Sequence, residues 1–124
     1  PNLKEINAVL PDPIRNEDAP VEQAARDVMK RFHLGNIIVT RSEAGLSFIR
    51  EEEIEHIPTK AQEVFDVSGA GDTVIAVFAM GIAGGIAPAD SCCLANLAAG
   101  VVVAKLGTYA VSREELLKAL EKEK

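Results

Sequence analysis

The sequence predicts an α/β fold in which a small sheet is flanked by helices, and three observations point there. Segments with helical apolar spacing alternate with short β-branched runs, a turn-bounded hairpin lies near the middle, and apolar helices close the chain. Its 124 residues suit a single unit over 1–124, and 48% hydrophobic with 26% charged content marks a globular chain rather than a disordered one.

Asn2 can cap a short helix carrying Leu3, Ile6, Val9 and Leu10, which Pro11-Asp12-Pro13 ends because neither proline continues the hydrogen-bond ladder. Asp18 is expected to cap a second helix with Pro20 in its first turn. Val21, Ala24, Ala25, Val28, Met29 and Phe32 recur at helical spacing until Gly35 supplies a stop. Asn36 to Thr40 follows as a strand whose continuous Ile37-Ile38-Val39 suggests cover on both faces. Leu46 to Arg50 and Ile54 to Ile57 read as a hairpin around the solvated turn Glu51-Glu52-Glu53. A short strand, Val64-Phe65-Asp66, then delivers the chain to a glycine turn.

Beyond that turn Val74, Ile75, Val77, Phe78, Met80 and Ile82 leave no polar face, so this helix is expected to be buried on nearly every side. Gly81, Gly84 and Gly85 allow close packing and termination. Pro88 opens another helix through Cys92, Leu94, Asn96, Leu97 and residues 101–103, which Gly107 is expected to close. Ser112 and Glu115 form an S-x-x-E capping box ahead of Leu116, Leu117 and Leu120, with 121–124 fraying. No internal repeat is visible. Three or four strands make a small sheet for helices this apolar, and the chain opens at Pro1 rather than Met, so further strands are expected before Pro1.

A net charge of −6 argues against a nucleic-acid surface or an anionic membrane as partner. No apolar run reaches the roughly 20 residues of a membrane span, and no signal-peptide pattern opens the chain, so a cytoplasmic location is the expectation. The adjacent Cys92 and Cys93 are expected to be buried thiols, a disulfide between neighbours being strained. His33 and His56 stand alone in sequence, without metal-ligand spacing or a partner nucleophile.

The chemistry-bearing stretch is Asp66-Val67-Ser68-Gly69-Ala70-Gly71-Asp72-Thr73. Glycines at a helix start let backbone N–H groups and the positive end of the macrodipole approach an anion closely. Asp72 would repel a phosphate there unless its task is to accept a proton from an incoming hydroxyl, which is what phosphoryl transfer needs.

This stretch resembles the second signature of the ribokinase-like (PfkB) carbohydrate kinases. Asn2-Leu3-Lys4-Glu5 is similar to the family's N-x-x-E motif, and Thr40-Arg41-Ser42-Glu43-Ala44-Gly45 to its strand-end turn at the nucleotide. Within the family the likeness is to the heptose-7-phosphate kinase branch, carried by residues 1–5, 39–43, 61–73 (including Gln62) and 99–108. The resemblance implies the C-terminal, nucleotide-binding part of a ribokinase-like layered fold, without the N-terminal part that holds the sugar. It implies an ATP-dependent phosphotransferase with ATP and a sugar phosphate as partners, Mg2+ as cofactor with K+ as a further candidate, and a place in ADP-heptose and lipopolysaccharide-core biosynthesis.

By the same resemblance Asp72 is the catalytic base, and Gly69, Ala70 and Gly71 form the anion hole. Thr40, Arg41, Ser42, Gly45 and Asn96 meet the nucleotide, Asn2 and Glu5 meet phosphate and magnesium, and Asp66 helps hold a monovalent cation. Simpler structural readings stay open: Asn2 and Glu5 as a capping pair, residues 40–45 as a plain turn, Asn96 as a buried amide, Ser68 and Thr73 as caps instead of phosphate contacts. Lys105 reads as a helix-end charge. Another family kinase, acting on ribose, fructose phosphate or a nucleoside, is the same-class alternative. A non-catalytic nucleotide-binding or dimerising module is the other. A truncated sheet is also expected to favour self-association or a homodimer, and residues 1–124 alone are expected to turn over negligibly.

Overall fold

A computed structural model describes residues 1–61 and 63–124; Gln62, within one of the stretches that carry the resemblance, lies outside the described residues. The chain gathers into two compact units, Pro1–Pro58 and Thr59–Lys124.

The first unit contains helices α1 (Leu3–Val9) and α2 (Asp18–Phe32) and strands β1 (Asn36–Thr40), β2 (Leu46–Arg50) and β3 (Ile54–Ile57). The strands form an antiparallel sheet in the order β1-β2-β3, with Val39 opposite Ser47 and Ser47 opposite His56. Its core joins Ile6 of α1 and Val21, Ala24, Ala25, Val28 and Met29 of α2 to Ile37, Val39 and Ile49. Burial alternates along β1, with Ile38 only half-buried, so the expected cover on both faces is not found there. The continuously buried strand is β2, because it is the central one and β1 is not.

Both termini of α2 differ from expectation. Glu17 is the N-cap without a side-chain bond, and Asp18 is already helical, its carboxylate being drawn to Arg41. The stop is His33, not Gly35: it adopts the left-handed conformation (φ 54°) and bonds its N–H to the Met29 carbonyl. Asparagine, aspartate and histidine tolerate that region better than most side chains, so glycine was not required.

The second unit contains α3 (Ala70–Ala83), α4 (Pro88–Val103) and α5 (Arg113–Lys122). The expected strand at 64–66 is absent. The Phe65 and Asp66 N–H groups instead share the Val103 carbonyl at 2.8 and 3.2 Å, which leaves no ladder for a strand to join. Helix α3 ends in a Schellman arrangement, with the Ile86 N–H on the Gly81 carbonyl and the Gly85 N–H on the Ile82 carbonyl, and Gly85 takes the positive φ this needs. A methyl group at Gly81 would lie 2.5 Å from Ser91 Oγ, so α3 and α4 meet closely at that point.

Burial on all sides of α3 is not observed. Val74, Val77 and Gly81 are buried, but Ile75 and Met80 are 68% and 65% exposed. Helix α4 stops at Ala104 rather than Gly107, and of the two cysteines Cys92 is buried while Cys93 is exposed. No helix among the described residues is long and apolar enough to cross a membrane.

Ser112 and Glu115 form the expected capping box on α5. Glu115 also accepts from the Tyr109 hydroxyl at 2.9 Å and pairs with Lys105 at 3.3 Å, so Lys105 serves this cluster more than a helix end. The Ser112 backbone bond, then the Tyr109 bond, lower the Glu115 carboxyl from 4.5 to about 2. The folded form therefore binds this proton less readily than the unfolded form. The stabilisation is complete above about pH 4.5 and is lost as pH falls through about 2. Helical circular dichroism should show an acid loss over that window that Glu115→Gln lacks; an identical titration of the variant would refute the assignment.

Candidate functional site

The glycine turn lies in the second unit and is built by Asp66. One carboxylate oxygen accepts the Ser68 N–H at 2.8 Å and the other the Gly107 N–H at 3.1 Å, which ties the turn to the loop after α4. Bonds from Ser68, then Gly107, hold the Asp66 carboxyl below its ordinary value. The Ala70 N–H closes a turn on the Val67 carbonyl at 3.2 Å, with Gly69 at φ 78°, ψ 1°. That is the second central position of a type II turn, where a side chain would be strained. Thr73 turns both its N–H and its hydroxyl to the Gly69 carbonyl, each at 2.9 Å, and so serves the backbone of the helix start.

Of the expected anion hole, the Ala70 N–H is thus occupied. The Gly71 and Asp72 N–H groups have no acceptor among the described residues. A methyl group placed at Gly71 would meet nothing within 4 Å, so chain packing does not explain the glycine. Asp72 is exposed in the first turn of α3, with its carboxylate unpaired among the described residues. The helix start therefore offers open donors, open space and a carboxylate that can accept a proton. Asn96 is buried within α4.

The remaining sequence-predicted residues lie in the first unit. Asn2 and Glu5 form a reciprocal capping box: Asn2 Oδ1 accepts the Glu5 N–H at 2.9 Å and Glu5 Oε2 accepts the Asn2 N–H at 2.8 Å. The second Glu5 oxygen is not used by that cap. A parallel bridge from Asn2 to Thr40, with the Thr40 N–H on the Pro1 carbonyl at 2.9 Å, brings this cap beside the end of β1. Beyond Thr40 the turn passes through a short 3-10 segment, Ser42–Ala44, with Ser42 at φ 53° and Gly45 at φ 82°. Ser42 is exposed and Gly45 buried.

Arg41 is 3% exposed. Its guanidinium contacts Asp18 at 2.7 Å, Asn16 at 2.9 Å and Ser47 at 3.0 Å, and the Arg41 bond holds the Asp18 carboxyl below its usual range. His56 is not solitary: Nδ1 lies 2.7 Å from Ser47 Oγ and Nε2 lies 2.7 Å from Glu22. Reading by sequence missed Asn16, Asp18, Glu22, Ser47 and His56 as a connected group. The available signal was Ser47 and His56, two polar side chains on apolar strands that face each other in the register. No group of three or more His, Cys, Asp or Glu that could hold a metal ion is found among the described residues.

A family model described as pfkB family carbohydrate kinase matches residues 1–115. Bifunctional protein HldE of Trichlorobacter lovleyi is 50% identical over 99% of this chain, and that of Shewanella denitrificans 49% identical over 97%. The chain spans 25% of the length of each of these relatives. Among solved structures, a ribokinase of Thermotoga maritima superposes with a TM-score of 0.86 at 27% identity, over 98% of this chain and 41% of that one. A ribokinase of Arabidopsis thaliana, solved with ribose and ATP, gives 0.84 at 25% identity, over 98% of this chain and 39% of that one. The fold is ribokinase-like.

Proposed function

Because the chain belongs to the pfkB family of carbohydrate kinases, we propose that residues 1–124 act as the C-terminal nucleotide-binding part of an ATP-dependent sugar kinase domain. The sugar-binding part then lies outside these residues. The observation that carries the reading is the start of α3, where the exposed Asp72 carboxylate stands among unspent N–H groups and unfilled space at Gly71. In this reading Asp72 takes the proton of the anomeric hydroxyl as that oxygen attacks the γ-phosphorus. The bond to the β–γ bridging oxygen breaks and ADP leaves. The Gly71 and Asp72 N–H groups stabilise charge on the transferring phosphoryl group.

Magnesium, when bound with ATP, neutralises phosphate charge; the second Glu5 oxygen would reach it through water, and Asn2 would stay engaged as the cap that orients Glu5. Thr40, Ser42 and Gly45 form the nucleotide turn, Asn96 stands near the base, and Asp66 orders the loop where K+ would bind. The substrate we assign is D-glycero-β-D-manno-heptose 7-phosphate, in ADP-heptose and lipopolysaccharide-core biosynthesis in the cytoplasm. Its support is the identity to HldE proteins and the four stretches that carry the likeness.

The test is a competition assay with the full-length protein, offering the heptose 7-phosphate beside ribose, fructose 6-phosphate and a nucleoside. Preferential formation of the heptose 1,7-bisphosphate is expected; preference for another acceptor would sink the substrate assignment. Residues 1–124 alone should turn over negligibly, and full-enzyme rates from them would remove the need for a separate sugar-binding part. The exposed Ile75 and Met80 of α3 should promote self-association of residues 1–124, read as concentration-dependent mass in light scattering. A monomer at high concentration would count against it.

A further inference from the structure

We propose that Asn16, Asp18 and Arg41 are positioning residues for the turn 40–45, the Arg41 guanidinium anchoring that turn to α2 instead of meeting the phosphates of the nucleotide. The proposal rests on the reading that the turn meets the nucleotide.

Arg41 is the pivot of the turn. Its N–H donates to the Gly45 carbonyl at 2.8 Å, and its carbonyl accepts from the Ala44 N–H at 3.1 Å and from Asn16 Nδ2 at 3.0 Å. The side chain is fixed from the other end, with Nε donating to Asn16 Oδ1 at 2.9 Å and Nη1 to Asp18 at 2.7 Å. One amide, Asn16, therefore holds both the backbone and the side chain of Arg41. Such a clamp has a purpose here, since Ser42 sits at φ 53° without being glycine. A conformation of that kind persists only where its surroundings over-determine it.

The contacts behind Arg41 continue into the sheet. Nη1 donates to Ser47 Oγ at 3.0 Å and lies 3.2 Å from His56 Nδ1, which is itself 2.7 Å from Ser47 Oγ, and His56 Nε2 lies 2.7 Å from Glu22. Ser47 is fully buried, so the chain backs the anchor from inside the sheet. With Nε and Nη1 committed to the chain and the residue 3% exposed, the guanidinium serves the turn first, and the backbone it fixes and the exposed Ser42 are what the turn offers a phosphate.

The experiment is steady-state kinetics of the full-length protein, with ATP and the sugar phosphate varied separately, on Asn16→Ala, Asp18→Asn and Asp18→Glu. The Asp18 side chain is 63% exposed, so its substitutions should fold, and melting curves check that. Asn16→Ala and Asp18→Asn should each raise the ATP KM about three- to tenfold with kcat held within about twofold, and Asp18→Glu should recover most of the loss. If Arg41 were a phosphate ligand, Asp18→Asn would free it and leave the ATP KM unchanged or lower; that result overturns the proposal, as does a fall in kcat at constant ATP KM. Gly45→Val separates the two readings. An ATP KM unmoved by Gly45→Val means the turn does not meet the nucleotide, and both fail. A raised ATP KM with Gly45→Val alone, and none with Asn16→Ala or Asp18→Asn, overturns only the anchoring role.

Discussion

Asp72→Asn in the full-length kinase should lower turnover by about 10²- to 10⁴-fold while leaving ATP affinity nearly unchanged. The amide keeps the size of the side chain and the helix start intact, but it cannot take a proton from the attacking hydroxyl. An unchanged rate would remove Asp72 from the mechanism, and an equal loss of ATP affinity would make it a binding group. Gly71→Ala is the companion measurement. Its new methyl group meets nothing within 4 Å in the chain, so stability should hold or rise slightly, alanine being favoured over glycine in a helix by about 0.5–1 kcal/mol. Reduced turnover in a variant of undiminished stability would mean that the space over Gly71 belongs to the transferring phosphate.

Gly81→Ala should produce the largest loss of stability in the second unit. Its Cβ would fall 2.5 Å from Ser91 Oγ and 2.9 Å from Ser91 Cβ, inside any real contact distance. Both atoms belong to the near end of a side chain on a helix, so relief requires α3 and α4 to move apart. Overpacking of this kind costs about 1–3 kcal/mol, and each kcal/mol lowers the midpoint of a domain this small by roughly 4–8 °C. Adding Ser91→Ala removes the hydroxyl but not Cβ, so the double variant should recover part of the loss. A Gly81→Ala protein that melts with the wild type would show that the helices separate freely there.

Elements whose signals are local were legible. The strands at 36–40, 46–50 and 54–57 and the two capping boxes formed where pattern and cap residue indicated. Expectations that depended on what surrounds an element were the ones corrected. Aspartate as a residue type favours caps, but a buried guanidinium offers Asp18 a stronger, charge-assisted partner. The continuous Ile37-Ile38-Val39 suggested a doubly covered strand, and the less conspicuous β2 took the central place. The uniformly apolar α3 suggested burial all round, yet only one stripe of it is covered in this chain.

The candidate site divides the same way. The glycines, Asp72 and the N-x-x-E pair were visible in the chain because turns and helix starts demand particular residue types at fixed spacings. Those demands act over a few residues, so the chain alone determined the family signature, the helix start that carries Asp72, and the caps. Only the tertiary structure decided that the Ala70 N–H is spent while those of Gly71 and Asp72 are open, that Asp66 ties its turn to Gly107, and that Arg41 is buried against Asn16 and Asp18. The partners in those contacts lie 23 to 41 residues apart for the side-chain bonds. Charge, hydrogen bonding and burial at such separations depend on which residues folding brings together, and no local spacing records that.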